Sequence, residues 1–144
     1  MKLIAPLRER DSYGLGHFGA SRGKNSKGEK INHNGIDHEC VPGSQIFSPV
    51  EGEVTKLGYT YTNDLSFRYV QITTKEGYNV RVFYVKPFVS LGDYVTDNDI
   101  IGSSQKLGDR YPVDKDHPLG ISEHVHLEVK DLQGKFIDPK DLGL

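Results

Sequence analysis

Two short histidine motifs carry the side chains best suited to chemistry. The first is His33-Asn-Gly-Ile-Asp37 and the second is His124-Val-His126. Together they offer two imidazoles, one carboxylate and a spare imidazole. Catalytic zinc sites commonly use three protein ligands of these types and keep a fourth position open for water. The two motifs therefore predict a zinc site with hydrolytic capacity.

The spacing of the second motif suits a β-strand. Side chains at positions i and i+2 of a strand point to the same face, so His124 and His126 project together while Val125 and Leu127 face the opposite side. Two imidazoles fixed side by side could provide one metal ligand and one acid/base group. The alternative interpretation is a pair of surface histidines on an ordinary strand.

The first motif has the same property if it is extended. His33 and Asp37 are four positions apart and would share one face, with Gly35 between them allowing the backbone to approach an ion closely. Alternatively, Asn34-Gly35 is an ordinary hairpin-turn dipeptide and His33 is a polar residue beside it.

The elements that would position these motifs are predicted to be strands. Helical periodicity is scarce, and short alternating or apolar segments are separated by turn residues, which predicts an all-β fold. Residues 1–32 are predicted to be irregular, 103–122 to form a loop, and Asp138-Pro139 to open a short helical turn. A single domain over 1–144 is expected, with a β core over 33–144. The predicted strands are 44–48, 52–57, 67–74, 79–85, 93–95, 99–101, 124–130 and 135–137.

Composition excludes several functions. A formal net charge of −2 argues against a nucleic-acid binder, which would need a basic face for phosphates. Cys40 is the single cysteine, which excludes an internal disulfide. Its expected role is a small buried hydrophobe, and the alternative is a metal ligand or a nucleophile beside the first motif. No apolar run reaches membrane-spanning length and no signal peptide is evident, since Arg8-Glu-Arg10 follows the first residues at once. We therefore expect no membrane insertion.

A basic stretch precedes the first motif. Arg22, Lys24, Lys27 and Lys30 are interrupted by small polar residues and by Glu29. Such a run is typical of a solvated loop, and the alternative is the rim of a groove that faces a polymer.

The ordered motifs resemble the lysostaphin/LytM-type zinc peptidase domain over roughly residues 17–130. His33-Asn-Gly-Ile-Asp37 is followed in the family's order by several shared segments. These segments are Val41-Pro-Gly-Ser-Gln-Ile-Phe-Ser-Pro49, Phe83-Tyr-Val-Lys-Pro87, Leu91-Gly-Asp-Tyr-Val95, Ile100-Ile-Gly102 and His124-Val-His-Leu-Glu128. Joint occurrence in this order is far more specific than either histidine motif.

The resemblance implies a fold, a metal and a reaction. The expected fold is a twisted, mainly antiparallel β-sheet domain whose long loops surround a metal-binding groove. Motif matching implies that His33, Asp37 and His126 bind Zn²⁺ and that His124 is catalytic. Family members cleave peptides of bacterial peptidoglycan, so we expect a cell-wall endopeptidase, made in the cytoplasm and acting at the wall, as a lysin or a virion-associated enzyme.

One position departs from the family pattern. Catalytic members carry Tyr-x-His where this chain has Tyr84-Val-Lys86. The same change occurs in leukocyte cell-derived chemotaxin 2, a zinc-binding relative regarded as lacking peptidase activity. Lys86 could stabilise a developing oxyanion, or it could be a surface lysine that replaces a lost function, and His117 could be a substitute base. The alternative function is a weak or inactive zinc-binding module that holds a peptide or glycan.

Overall fold

The computed structural model describes residues 16–144 and confirms the all-β prediction. Its strands are antiparallel throughout, and the only helical elements in the described range are two short 3-10 turns, Leu107–Asp109 and Pro139–Leu142. The predicted terminal turn at Asp138-Pro139 is confirmed, with the Asp138 side chain accepting a hydrogen bond from the Lys140 N–H. The strands are β1 (Ser21–Lys24), β2 (Lys30–Asn32), β3 (Gly35–Glu39), β4 (Gln45–Phe47), β5 (Gly52–Tyr59), β6 (Arg68–Thr73), β7 (Asn79–Phe83), β8 (Val85–Pro87), β9 (Tyr94–Val95), β10 (Ile100–Ser104), β11 (His124–Lys130) and β12 (Phe136–Ile137).

Three sheets make up the described fold. The main sheet has the order β12-β11-β7-β6-β5-β9, and β3 pairs with β11 at the same edge as β12. A second sheet has the order β4-β10-β8, and β1 and β2 form a separate hairpin. Alternating apolar residues of β5, β6, β7 and β11 point to one side of the main sheet and form the core with residues of the second sheet. The opposite face of the main sheet is therefore available for a site.

The four central strands of the main sheet are the ones that the sequence predicts well. Strands β5, β6, β7 and β11 fall on predicted strands, and the Lys75–Tyr78 stretch connects β6 to β7 as an antiparallel hairpin. The prediction that 1–32 is irregular is wrong for its described part, because β1 and β2 pair across 21–32. Their side chains are almost all exposed, so hydrophobic alternation gives no signal there. Residues 1–15, on which the expectation about a signal peptide rests, lie outside the described residues.

Tyr84 divides the strand that is predicted over 79–85. It is the only non-glycine residue with a positive φ, 68°, among residues 16–144. The left-handed backbone ends β7 at Phe83 and starts β8 at Val85, which joins the second sheet by pairing with β10. No glycine or asparagine marks this break in the sequence, so pattern alone could not find it.

Strand β3 depends on Gly35. A Cβ at this position would collide with the Leu127 carbonyl oxygen of β11, and it would also lie 3.0 Å from a His126 ring carbon. Gly35 has no positive φ and pairs with Glu128 in register. The hairpin-turn interpretation of Asn34-Gly35 is therefore wrong: the glycine lets two strands approach closely.

None of the helical turns described over 16–144 is long and apolar enough to cross a membrane.

Candidate metal centre

The register of three strands assembles the two histidine motifs. In β11, His126 lies directly opposite Asp37 of β3 on one side and Phe83 of β7 on the other. His33 precedes β3 and reaches the same point, where its ring centroid is 4.7 Å from that of His126. Residues distant in sequence thus meet on the face of the main sheet that is turned away from the core.

Three potential ligand atoms converge there. The Asp37 Oδ1 atom is 2.8 Å from His126 Nδ1 and 3.1 Å from His33 Nε2. The two imidazole nitrogens are 2.9 Å apart. A triangle of this size allows one ion to contact all three atoms at about 2.0–2.2 Å, the bond lengths of zinc with nitrogen and oxygen. His33 and Asp37 are buried and His126 is nearly so.

The outward nitrogens determine which tautomers are present. His33 Nδ1 is 2.9 Å from the His17 carbonyl oxygen, which can only accept, so this nitrogen carries a proton and donates it. His126 Nε2 is 3.0 Å from Glu128 Oε1 and donates to that carboxylate. Both imidazoles therefore present lone pairs inward. Hydrogen bonds of this kind orient metal-binding histidines in general.

Three acceptor atoms facing one another require a cation between them. Burial raises the pKa of the Asp37 carboxyl, but hydrogen bonds with His126 and His33 outweigh it and hold that pKa far below its usual range. Burial lowers the pKa of His126, and its bonds with Asp37 and Glu128 reverse this and raise the pKa to about 9. Without a metal, a proton takes the position. Two imidazoles and one carboxylate match the donor set of zinc, so these residues fit the ion.

A cavity of about 330 Å³ opens over the three ligand atoms. His124 lines it and is itself buried. Its Nδ1 donates to the Ser122 carbonyl oxygen at 2.7 Å, which leaves Nε2 as the basic nitrogen, 3.6 Å from Asp37 Oδ2. Phe83, Tyr84, Tyr111 and Ile121 supply much of the remaining wall.

Tyrosine hydroxyl groups tie the cavity wall together. The Tyr84 ring meets His124 edge-to-face, with centroids 5.5 Å apart. The Tyr61 hydroxyl group hydrogen-bonds both the Tyr84 hydroxyl, at 3.2 Å, and the Tyr111 hydroxyl. The Arg110 guanidinium stacks 3.6 Å from the centroid of the Tyr61 ring. The loop before β11 is thereby fastened to the β7–β8 junction.

The structure brings together four of the six residues predicted for the site. His33, Asp37, His126 and His124 all line the cavity. Lys86 is exposed on β8, and neither it nor His117 belongs to the described cavity lining.

His117 and the single cysteine, Cys40, lie away from the three ligand atoms. His117 lies in the loop before β11, with Nδ1 3.0 Å from Asp114 Oδ1. Cys40 is half-buried against the core, as expected.

Sequence reasoning missed three groups at the centre. Glu128 lies two positions after His126 on the same strand face, so the i, i+2 rule could have found it. The His17 carbonyl is a backbone group, for which no side-chain pattern exists. Arg22, assigned above to a basic stretch, lines the cavity with Nη2 3.6 Å from Asp37 Oδ2. This supports the groove-rim interpretation for Arg22, while Lys24, Lys27 and Lys30 are exposed.

Comparison with known proteins identifies the family of this centre. The model of Peptidase family M23 matches residues 31–139, which include both histidine motifs. The chain belongs to peptidase family M23. The resemblance to the lysostaphin/LytM-type domain is therefore confirmed.

Two animal proteins are similar to this chain in sequence. Leukocyte cell-derived chemotaxin-2 of Mus musculus is 31% identical over 122 residues, covering 85% of this chain and 72% of its own. Myeloid protein 1 of Gallus gallus is 32% identical over 123 residues, covering 85% of this chain and 34% of its own.

Solved structures share the fold. LytU superposes with a TM-score of 0.61 at 25% identity, covering 93% of this chain and 86% of its own. Lysostaphin superposes with a TM-score of 0.60 at 18% identity, covering 90% of this chain and 48% of its own, and this likeness concerns the fold alone.

Proposed function

We propose that this chain is a zinc-dependent endopeptidase that hydrolyses peptide bonds of bacterial peptidoglycan. The observation that carries the proposal is the convergence of His33, Asp37 and His126 beneath an open cavity that also contains the buried His124. Membership of a peptidase family supports the reaction class. The protein would then act at the bacterial cell wall, either as a lysin or as part of a virion.

His124 is the acid/base group of this proposal. When bound, zinc supplies Lewis-acid polarisation of the scissile carbonyl and activates a water near neutral pH. His124 Nε2 accepts a proton from that water, since Nδ1 is occupied by the Ser122 carbonyl. The same nitrogen then returns the proton to the departing amine. A positioned acid/base group of this kind contributes typically about 10²–10⁴-fold to the rate.

Turbidity loss of purified cell walls tests the proposal. Wild-type protein should clear the suspension and release amines. A chelator should stop both the clearing and the release, and added zinc should restore them. His124→Ala should retain zinc but lose about 10²–10⁴-fold in rate. Walls that bind the protein tightly without any release of amines would refute the enzyme. His117→Ala in the same assay decides whether that loop histidine takes part.

The metal assignment has its own measurement. Elemental analysis should find one zinc per wild-type chain, and His33→Ala and Asp37→Ala should each lose it. Stoichiometric zinc in both variants would refute the ligand set.

A non-catalytic zinc-binding module is the second candidate function. It is favoured by Lys86, which stands where catalytic members have a histidine and is exposed outside the cavity lining. The cavity would then hold a peptide or glycan without cutting it. Binding of walls that depends on zinc, with hydrolysis absent even at high protein concentration, is the result that selects this function.

A further inference from the structure

A row of polar side chains crosses the main sheet beside the metal centre. Residues directly opposite one another in antiparallel strands share a face. The first row contains His126, Phe83 and Tyr69. The next row, two residues further along each strand, contains Glu128, Arg81 and Gln71. Arg81 therefore lies on the same face as the metal ligands.

Arg81 is held rigidly in this row. Its Nε donates to Gln71 Oε1 at 2.7 Å, and its guanidinium carbon lies 4.6 Å from the centroid of the Tyr69 ring. That ring is itself fixed, because Tyr69 is buried and packs closely over Gly58, which has no side chain. An arginine stacked and hydrogen-bonded in this way loses little freedom when it binds a ligand.

The two Nη atoms of Arg81 remain unpaired among the residues that the structure describes. No carboxylate from residues 16–144 lies within ion-pair distance of the guanidinium, although Glu128 is its cross-strand neighbour. Glu128 is engaged by His126 instead. A guanidinium with a free fork favours a carboxylate that can accept two parallel hydrogen bonds.

The spacing sets where such a carboxylate would be. Aromatic rings connect Arg81 to the centre: Tyr69 to Phe83 at 4.8 Å and Phe83 to His126 at 5.3 Å. Arg81 is offset from His126 by two residues along the strands, roughly 7 Å, and by one strand across, and its guanidinium leans toward Tyr69, a further strand away. A peptide with a bond over the metal ligands would therefore have its carboxylate about two to four residues away at the spacing of an extended chain.

We propose that Arg81, presented by Tyr69 and Gln71, is an anion subsite that binds a free carboxylate of the peptide ligand. This subsite rests on the proposed function for its ligand, since the stem peptides of peptidoglycan carry free carboxylates. It requires only that the face binds such a peptide, and so it holds for an enzyme and for a binding module alike.

Calorimetric titration of the zinc-loaded protein tests the subsite. The probes are a synthetic peptidoglycan stem pentapeptide with a free C-terminal carboxylate and the same peptide as its C-terminal amide. Wild type should bind the acid about tenfold or more tightly than the amide, as expected for a charge-assisted hydrogen-bonded pair. Arg81→Gln should bring the ratio close to one, and Arg81→Lys should keep only part of it.

Lys130→Gln is the matched control. It removes one positive charge from the same strand face one row further on, where Lys130 lies over the Phe136 ring. It should preserve the acid-to-amide ratio. A ratio near one in wild type, a ratio unchanged in Arg81→Gln, or failure of wild type to bind either peptide overturns the subsite.

Mass analysis of the titration mixtures separates the subsite from the proposed function. If the acid peptide binds more tightly than the amide in an Arg81-dependent way but neither is cleaved, the subsite is supported and the endopeptidase activity is refuted. If both peptides are cleaved with equal kcat/KM, the endopeptidase activity is supported and the subsite is refuted.

Discussion

Glu128 is the residue on which the orientation of His126 depends. Its carboxylate accepts a hydrogen bond from the Nε2–H group of His126, so that the Nδ1 lone pair is left to face Asp37. We predict that Glu128→Ala raises the zinc dissociation constant about 10–100-fold, as loss of such an orienting group commonly does. Glu128→Gln keeps an oxygen acceptor and should lie between this variant and wild type.

Competition with a chromophoric zinc chelator gives these constants directly. Glu53→Ala removes an exposed acid from another strand of the same sheet and is the appropriate control. Equal zinc affinity in Glu128→Ala and wild type would show that the strand alone fixes the imidazole.

Cys40 should be a slow nucleophile. Burial raises the pKa of its thiol and the charge of Glu123 adds to this, while a hydrogen bond with Ser104 opposes them in part. The thiolate is the reactive form, and a raised pKa moves its appearance to higher pH. We therefore predict slow modification by a thiol-disulfide reagent at neutral pH, accelerating only at a pH higher than the one at which an ordinary thiol ionises.

Unfolding the protein in urea provides the comparison for that measurement. In urea, the rate of thiol modification should rise to that of a cysteine in an unfolded peptide. Equal rates in folded and unfolded protein would place the thiol in solvent.

At the scale of elements, the close contact of β3 with β11 is what joins the two motifs. Gly35→Ala should force the strands apart, at a cost of about 1–3 kcal/mol for overpacking, and displace Asp37 from His126. Both the melting temperature and the zinc content should fall.

Gly92→Ala serves as the control for that substitution. Gly92 has a left-handed φ and no atom near its missing Cβ, so alanine there costs only backbone strain. Zinc content should stay at one per chain. Full zinc content in Gly35→Ala would show that β3 can shift without losing the centre.

Elements and site differ in how much of them the sequence could reveal. Strands such as β7 and β11 carry apolar residues at alternate positions, facing the core, and pattern analysis detects this alternation. The β1–β2 hairpin has no buried face, and the break at Tyr84 has no small residue to mark it. The four central residues follow from motif order, whereas the His17 carbonyl becomes visible only when the chain is folded.

At the scale of the whole molecule, the metal should add substantially to stability. A ligand present at one hundred times its dissociation constant stabilises a folded protein by about 2.7 kcal/mol. For a domain of this size we predict that chelation lowers Tm by about 10 °C. Differential scanning calorimetry with and without chelator measures this, with zinc added back as the control.

The same stabilisation should depend on pH in a defined direction. Zinc requires deprotonated imidazoles, and the pKa of His126 without metal is about 9, so protons compete with zinc below that pH and the Tm difference should shrink progressively as the pH falls. A difference that persists unchanged in acid would indicate that zinc does not stabilise the fold through these ligands.

The register that pairs Asp37 with His126 also sets a time for the site to appear. His33 and His126 are 93 positions apart, and β11 must pair with β3 before their nitrogens meet. At about 5–20 residues per second, a ribosome takes roughly 5–20 s to cover that interval. For nearly all of this time the nascent chain has two of the three proposed metal ligands, His33 and Asp37, and lacks His126. The proposed hydrolase would therefore be inactive during its own synthesis, because the centre is incomplete until His124 and His126 have been made.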